Sequence, residues 1–472
     1  MLFNSIEFFV FLFVVFFLYW FVFNKKLAFQ NFFLLIASYF FYAWWDWRFL
    51  LLLLLSTVID YSFGLAVEKA KNKKFYLVLS IVNNLGVLFF FKYYNFFISS
   101  FAQLGEKIGL HFSPLLLNIA LPVGISFYTF HGMSYVFDIY NGKSKATKNF
   151  NDYAVFVCFF PLLVAGPIER ASHLLPQVQT RRIFKYEQAV QGMRLMLWGF
   201  FKKVVIADTL ANVVNTIFGN YHQYNGATLV LGAVLFAFQI YGDFSGYTDI
   251  ALGTAKLFGF ELLTNFKFPY FSRNIAEFWR RWHISLSSWF RDYLYIPLGG
   301  SKKGHTKAIR NTFIIFLVSG FWHGANWTFI AWGALHALLF IPLLLAKRNR
   351  VFTDNVVAYD RRVPNLKELG AMITTFVLVT IGWIFFRSAT ITDAAYYIGN
   401  MRKGLFTKPL FLDSLVYVVV FLIADWLQRR DERNVLNIQS KPVRYFIYFV
   451  MVALIILHFP YINKAQFIYF QF

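Results

Sequence analysis

Two histidines in apolar surroundings are the side chains best suited to chemistry in this sequence. His323 lies between Trp322 and Gly324, inside segment 312–346, whose 35 residues include no Lys, Arg, Asp or Glu. An ionisable side chain at membrane depth is costly, so it usually faces a protein interior or a water-filled cavity. Imidazole titrates near neutral pH and is the most common proton-transfer group. The pattern therefore predicts that His323 does chemistry inside a membrane.

His283 lies 40 residues earlier, in segment 277–300, whose sequence is EFWRRWHISLSSWFRDYLYIPLGG. If this segment is one helix, Arg280, His283 and Ser287 fall at positions i, i+3 and i+7 on one face. The separation is long enough for two different helices to bring His283 and His323 together. Taken singly, each histidine is equally well explained by structural packing. The tryptophans and arginines of the segment also suit an amphipathic helix at the membrane interface.

Other polar residues in apolar sequence fit structural roles as well as chemical ones. His336 points about 220° away from His323 around a helix, so core packing is expected for it. Asp243 and Asp249 are uncommon at membrane depth, where they would line a cavity or cap a helix end. One buried network could join these two aspartates to Arg273, Asn274, Arg291 and Asp292.

The composition describes the elements that must hold these side chains. Of 472 residues, 58% are hydrophobic and 14% are charged, which is more apolar than a soluble protein of this length. We therefore expect an all-α polytopic membrane protein, with one membrane-embedded domain over residues 1–472 and about ten to twelve transmembrane helices. Segment 152–320 does not resolve into regular crossings, so re-entrant or interfacial helices are expected there. Residues 265–346, which contain both histidines, form the expected catalytic core.

Charge and cysteine content exclude several classes of function. The formal net charge is +22, but Lys and Arg occur in short clusters between apolar runs, which is typical of contacts with lipid headgroups and not with nucleic acid. Cys158 is the single cysteine of the sequence, which excludes an internal disulfide and a multi-cysteine metal site. Because Cys158 lies in an apolar run, we expect it to pack as a small hydrophobic side chain. No metal is expected.

The basic clusters also predict an orientation in the membrane. Lys25 and Lys26 follow the first apolar segment, clusters at 69–74 and 143–148 follow the third and fifth, and basic residues at 429–433 precede the last. With positive loops in the cytoplasm, both termini are expected on the extracytoplasmic side. The first segment has no basic n-region and no small-residue cleavage site, so we expect a retained span and not a signal peptide.

Several motifs together resemble the membrane-bound O-acyltransferase (MBOAT) family. FWRRWHISLSSWFRDYLYIPLGG and FWHGANWTFIAWGALHA, which contain His283 and His323, carry most of the resemblance. PLLVAGPIERASHLLPQ at 161–177, YGDFSGYTDIALG at 241–253 and the terminal FIYFQF at 467–472 support it. These motifs are long and ordered, and they spread over most of the chain. More narrowly, the sequence is similar to the bacterial branch that includes the alginate O-acetylation membrane subunit, and less similar to the branch that D-alanylates teichoic acid.

This resemblance implies a fold, a reaction and roles for named residues. The family's principal catalytic histidine corresponds to His323, and its second histidine, in the pattern Arg-Trp-His-x-Ser, corresponds to His283. The implied fold is a ring of membrane helices around a central tunnel, in the inner membrane of a bacterium. The implied donor is cytosolic acetyl-CoA and the implied acceptor is an exported polysaccharide. A periplasmic SGNH-type partner commonly completes the transfer in this branch.

Under this hypothesis the protein is an O-acetyltransferase whose histidines handle the acyl group and the proton. His323 would act as general base on an acceptor hydroxyl, and His283 would position the thioester or relay a proton. An acyl-histidine intermediate is an open alternative. The candidate residues for binding the phosphates of the donor are Arg280, Arg281, Arg291 and Ser287, although the arginines would equally suit lipid headgroups.

A transporter or flippase is the alternative class of function, with the two histidines serving as a proton relay. Many transporters are built from two repeated halves, and this sequence has no internal repeat, which favours the acyltransferase.

The apolar C-terminal segment 467–472 is expected to dock on protein, near the outer mouth of the tunnel or on the partner, because exposed apolar patches commonly mark contact sites. Simple anchoring of its aromatic side chains among the outer headgroups is the alternative.

Overall fold

The computed structural model describes residues 1–110, 113–302, 304–459 and 467–468. Within these residues the secondary structure consists of helices and turns, with no strand, which confirms the predicted all-α class. The chain forms two compact units. The N-terminal unit contains Met1–Ala189 and Thr254–Leu263, and the C-terminal unit contains Val190–Gly253 and Thr264–Phe472. The expectation of one membrane domain over the whole chain stays a prediction.

The helices of the N-terminal unit begin at polar residues that cap them. Ser5 accepts the backbone N–H of Phe8, and Asp46 accepts that of Arg48, so that each side chain satisfies an otherwise unpaired donor of the first turn. The helices are α1 (Ile6–Phe17), α2 (Leu27–Ala43), α3 (Trp47–Lys69), α4 (Lys73–Leu88), α5 (Tyr94–Lys107), α6 (Ile125–Tyr140), α7 (Phe150–Cys158), α8 (Phe160–Ala165) and α9 (Ala171–Gln179). Wider π-helical turns extend α1 over Leu18–Val22 and join α4 to α5 over Phe89–Tyr93.

Cys158 ends α7 at a bend in the backbone. The chain turns at Phe159, and Pro161 then stands in the first turn of α8, a position where proline loses no helical hydrogen bond. The Cys158 thiol is buried and lies 3.7 Å from the Thr57 hydroxyl. It therefore packs in the interior, as expected for a small hydrophobic side chain.

The C-terminal unit mixes long helices with short ones. It contains most of α10 (Tyr186–Phe200), then α11 (Asp208–Gly219), α12 (Gly226–Leu257, whose last turn belongs to the N-terminal unit), α13 (Ile275–Arg281), α14 (Ile284–Phe290), α15 (His305–His323), α16 (Trp327–Leu345), α17 (Leu366–Arg387), α18 (Ile391–Asn400), α19 (Leu415–Gln428) and α20 (Lys441–His458). Its π-helical turns are Phe201–Ala207 and Arg291–Tyr295, and its 3₁₀ turns are Tyr221–Gln223, Pro269–Phe271 and Leu412–Ser414. Because α13 and α14 have seven residues each, neither can cross a bilayer, as expected for this part of the chain.

Six helical segments of the described residues are long and apolar enough to span a membrane. They are Trp47–Lys69, Lys73–Lys107, Gly226–Leu257, Trp327–Leu345, Leu366–Arg387 and Lys441–His458. Shorter apolar helices lie at Ile6–Val22, Leu27–Ala43 and Phe150–Ala165. The protein is therefore a multi-pass membrane protein, whereas the total of ten to twelve crossings stays a prediction.

The α15–α16 hairpin depends on glycines at its contact face. A Cβ atom on Gly320 would lie 2.2 Å from the carbonyl oxygen of Phe329, and one on Gly333 would lie 2.3 Å from that of Phe316. Only glycine allows these backbones to approach so closely, as is common between membrane helices. The hairpin turns after His323, and the side chain of Asn326 then caps α16.

Asp243 and Asp249 do not cap a helix end, so that expected role was wrong, whereas the alternative role of lining a cavity stays a prediction. Helix α12 continues to Leu257, so both aspartates lie inside a helix and not at its end. Their carboxylates pair with lysines of the Phe201–Ala207 turn: Lys203 Nζ lies 2.7 Å from Asp243, and Lys202 Nζ lies 2.6 Å from Asp249. The expected network, which would join these two aspartates to Arg273, Asn274, Arg291 and Asp292, does not form. Arg273 pairs with Glu277, and Arg291 pairs with Asp292.

Candidate active site

His323 is the last residue of α15 and lies in an aromatic enclosure. The helix ends there because Gly324 takes an extended conformation, with φ −163° and ψ 151°. The imidazole is 3% exposed. Its ring centroid lies 5.2 Å from that of Trp332 and 5.3 Å from that of Phe386. These large rings keep bulk water away from the imidazole.

His283 lies at the sharp turn between α13 and α14. Its backbone has φ 44° and ψ 55°, the left-handed region that few residues other than glycine adopt. The single helix expected over this segment is therefore broken, and Arg280 does not share a continuous helical face with Ser287. The His283 ring is 1% exposed and packs edge-on against Phe244, with ring centroids 4.7 Å apart.

The structure brings the two histidines together. The ring centroids of His283 and His323 are 6.4 Å apart, and the rings are tilted by 55°. Both residues belong to the C-terminal unit. Their catalytic roles stay predictions.

Asn265 orients His283, and sequence reasoning missed this residue. Its Oδ1 atom accepts from Ser285 Oγ at 2.9 Å and from the Ser285 backbone N–H at 3.4 Å, and it lies 3.0 Å from His283 Nδ1. Because a backbone N–H only donates, this carboxamide atom is the acceptor oxygen, so His283 Nδ1 carries the hydrogen. The lone pair therefore lies on Nε2. The expected catalytic core begins at Asn265, 12 residues before segment 277–300, but no local pattern in the sequence assigned this residue a role.

Burial keeps the His283 imidazole neutral. The loss of solvent lowers its pKa from 6.5 to about 3, because the charged form is poorly stabilised away from water. At neutral pH the ring is therefore a neutral base with a defined tautomer.

The C-terminal unit contains an arginine-lined cavity of about 240 Å³, and neither His283 nor His323 is among its lining residues. Ser287, four residues after His283, and Ser319, four residues before His323, both line it. Four residues are about one helical turn, or ~6 Å along the helix axis, so each serine lies about one turn from one histidine of the pair. Its charged and polar lining residues are Arg280, Ser287, Arg291, Ser301, Thr312, Ser319, Asn349 and Arg350.

Three of the four predicted donor-binding residues line this cavity, and one does not. Arg280 lines it and also contacts the loop after α16, because its guanidinium donates to the carbonyls of Asn349 and Phe352. Arg281 is buried and paired with Glu277, at 2.9 Å, so its contacts are structural. Arg350 was not singled out from the sequence. It follows α16 and meets the cavity only in the folded chain.

A second cavity, of about 490 Å³, lies at the turn of the α15–α16 hairpin. Phe386, whose ring contacts His323, is part of its wall. Arg387 also lines the cavity, and its Nη2 atom donates a hydrogen bond to Asn215 Oδ1 at 2.8 Å. Tyr221 donates to Asp393 at 2.7 Å. This hydrogen bond lowers the pKa of Asp393 and raises that of Tyr221 to about 12. We call this second cavity the Arg387 cavity.

His336 is a packing residue, as expected. Trp279 Nε1 donates to His336 Nδ1 at 3.3 Å, and the rings of Trp279 and Trp332 each lie 5.0 Å from the imidazole. Within the described ranges, no three His, Cys, Asp or Glu side chains converge as metal ligands would.

The described part of the C-terminal segment docks on α12. Phe467 and Ile468 are buried, and the backbone N–H of Ile468 donates to Asp243 Oδ2 at 2.7 Å. The Phe467 ring lies 4.5 Å from that of Tyr247 and 5.8 Å from that of Phe244, the residue that contacts His283. These two residues therefore pack on protein and not among headgroups. The rest of the predicted docking segment, 469–472, lies outside the described residues.

A multi-pass helical protein that holds two histidines buried side by side has a candidate reaction site within its membrane-embedded part. Residues 40–380 match MBOAT, the membrane-bound O-acyltransferase family. The chain belongs to this family and is an O-acyltransferase, as its motifs predicted.

Relatives of stated function agree with this assignment. The chain is 42% identical over 378 residues to the probable alginate O-acetylase AlgI of Pseudomonas syringae pv. tomato, covering 79% of this chain and 70% of that protein. It is 34% identical over 406 residues to the peptidoglycan O-acetyltransferase of Helicobacter pylori, covering 80% and 74%. It is 32% identical over 236 residues to the teichoic acid D-alanyltransferase of Bacillus subtilis, covering 47% and 58%. The expected similarity to the alginate branch is confirmed.

Proposed function

We propose that this protein transfers an acetyl group from cytosolic acetyl-CoA to an extracytoplasmic polysaccharide. Relatives named as an alginate O-acetylase and a peptidoglycan O-acetyltransferase support both the acetyl group and the polysaccharide. Because the activated donor and the acceptor lie on opposite sides of the membrane, the reaction needs a site inside the bilayer. The observation that carries the proposal is the pair of buried histidines with ring centroids 6.4 Å apart.

In the proposed reaction, His323 takes the proton of an acceptor hydroxyl while that oxygen attacks the thioester carbonyl. The carbon–sulfur bond breaks, and the leaving thiolate takes up the proton, so that no charge accumulates in the apolar site. Proton transfer of this kind contributes about 10²–10⁴-fold to a rate. His283, with its lone pair on Nε2, positions the acyl group or relays the proton. An acyl-histidine intermediate, formed by direct attack of an imidazole on the thioester, is the competing sequence of steps.

The arginine-lined cavity is the proposed entrance for the donor. Arg280, Arg291 and Arg350 offer guanidinium groups, which form strong charge-assisted hydrogen bonds with phosphates. Ser287, four residues after His283, also lines this cavity. The Glu277 contacts of Arg281 favour a role in holding α13 and not in binding the donor.

The Arg387 cavity is the proposed exit toward the acceptor, with the polysaccharide or a periplasmic SGNH-type partner receiving the acetyl group there. The basic loops after α16 and α19 contain residues 347–350 and 429–433, and positive loops favour the cytoplasm. In the proposed orientation, the Arg387 cavity and both termini lie on the extracytoplasmic side of the bacterial inner membrane.

Replacement of His323 tests the proposal. In a deletion strain complemented with His323→Ala, polymer-bound acetate should fall to the level of the empty strain while the protein accumulates in the membrane. His283→Asn should cause a severe but incomplete loss, since asparagine tolerates the left-handed backbone at this position. The matched control is His336→Gln, which alters a packing histidine outside the pair. Normal acetate with His323→Ala would remove this residue from catalysis.

A further inference from the structure

A third cavity in the C-terminal unit takes no part in the proposed reaction. Its volume is about 480 Å³, within the range of about 300–1,000 Å³ that is usual for small-molecule sites. None of its described lining residues lines the arginine-lined cavity or the Arg387 cavity. We call it the α19–α20 cavity, after the two helices that flank it. Its apolar walls include Trp198, Phe201, Val420, Leu427, Ile447 and Met451.

Helix α20 has little protein packed against it. Of its 18 residues, Met451 is the one that is buried. A hydrogen bond from Arg194 Nε to the Tyr448 hydroxyl, at 2.8 Å, ties the helix to α10. Beside the cavity, therefore, α20 needs another apolar surface. In a bilayer that surface is a lipid chain, which is as apolar as the leucine side chains around it.

One end of the cavity is polar and carries positive charge. Gln428, Arg430, Asn434 and Asn437 form this rim. Arg430 is exposed, and its one hydrogen bond within the described ranges is a 3.4 Å contact with the Arg361 carbonyl. Asp431 also lines the cavity, but its carboxylate accepts the backbone N–H groups of Arg433 and Asn434 in its own turn.

The surrounding sequence adds to the positive charge of the rim. Segment 429–444 contains two acidic residues, Asp431 and Glu432, and five basic ones. Glu432 is itself paired with Lys267, at 3.0 Å. The basic residues are Arg429, Arg430, Arg433, Lys441 and Arg444.

We propose that the α19–α20 cavity binds an anionic phospholipid. One acyl chain lies between α19 and α20 on the apolar walls, and the phosphate contacts the guanidinium of Arg430, with Asn434 and Asn437 as further polar partners. Basic pockets between membrane helices recognise acidic headgroups in this way. The lipid completes the packing of α20, the helix that leads to the docked residues Phe467 and Ile468. The proposal rests on the membrane class of the protein and not on acetyl transfer.

Two lipids with the same acyl chains, one with an anionic and one with a zwitterionic headgroup, test the proposal. The purified, delipidated protein is titrated with palmitoyl-oleoyl phosphatidylglycerol or with phosphatidylcholine of the same chains, while the thermal midpoint and the lipids retained in native mass spectrometry are followed. Phosphatidylglycerol should raise the midpoint at a lower concentration and should remain bound. Arg430→Gln should weaken its affinity about fivefold, the effect of one cation worth ~1 kcal/mol at a membrane surface.

Two further variants separate the cavity from general surface charge. Arg362→Gln, which removes an exposed arginine outside the cavity, should bind phosphatidylglycerol as the wild type does. Ala424→Phe, which fills the cavity between the helices, should reduce retention of phosphatidylglycerol without changing Arg430. Equal effects of the two lipids, or equal affinities of Arg430→Gln and Arg362→Gln, would overturn the proposal.

Discussion

The carboxamide of Asn265 decides which nitrogen of His283 carries the lone pair. It accepts from the Ser285 side chain and backbone, and it lies 3.0 Å from His283 Nδ1. This arrangement holds an imidazole whose backbone is already constrained in the left-handed region. Under the proposed mechanism, Asn265 is therefore a positioning residue that acts on the reaction through His283.

Asn265→Ala should lower activity by about 10–100-fold, because a buried donor that loses its acceptor costs roughly 1–3 kcal/mol. The measurement is acetyl-CoA turnover in membranes that contain equal amounts of protein. Ser285→Ala is the matched control, since it removes one donor and leaves the carboxamide beside the imidazole. Similar rates for the two variants would exclude the positioning role.

The burial of His283 also makes stability depend on pH. Its pKa of about 3 in the folded protein lies below the ordinary value of 6.5, so the unfolded chain binds more protons between these two values. Stability should therefore fall as the pH drops below about 6.5, by up to ~1.4 kcal/mol per pH unit from this residue. His283→Asn should show a smaller drop in thermal midpoint between pH 7 and pH 5 than the wild type. An identical drop would contradict the assigned burial.

At the scale of elements, the close contact between α15 and α16 sets the position of His323. Gly320→Ala places a methyl group where only 2.2 Å separates it from a carbonyl oxygen, and such overpacking costs about 1–3 kcal/mol. The thermal midpoint and activity should both fall. Gly370→Ala is the control, because nothing lies within 4 Å of its Cβ position in α17, and it should be neutral or stabilising by up to ~1 kcal/mol. Equal effects would show that the hairpin does not depend on this contact.

Continuous apolar segments and long motifs were sufficient to predict the helical membrane class and to select His283 and His323 as candidate catalytic residues. The break at His283 could not be predicted, because a positive φ at a histidine leaves no periodic signal in the sequence. The partners of Asp243 and Asp249 were missed for a different reason. Lys202 and Lys203 belong to a wider helical turn of another segment, and only tertiary packing brings them to α12.

At the scale of the whole molecule, the basic loops predict one orientation. In a Cys158→Ala background, an impermeant maleimide added to intact spheroplasts should label Ala389→Cys, in the exposed turn after α17. Lys71→Cys and Arg348→Cys, both in exposed basic loops, should react only after permeabilisation, because positive loops stay in the cytoplasm. Labelling of Arg348→Cys from the same side as Ala389→Cys would contradict this orientation.

The most direct test of the central claim uses inverted membrane vesicles, which expose the cytoplasmic face and retain the cell's own acceptor and partner. With acetyl-labelled CoA outside, the wild type should move label onto polymer inside and release one free CoA thiol for each acetyl group transferred. Vesicles with equal amounts of His323→Ala should be slower by about 10²-fold or more in both measurements. Label that enters without thiol release would indicate a transporter, and wild-type transfer by His323→Ala would contradict acyl transfer at the histidine pair.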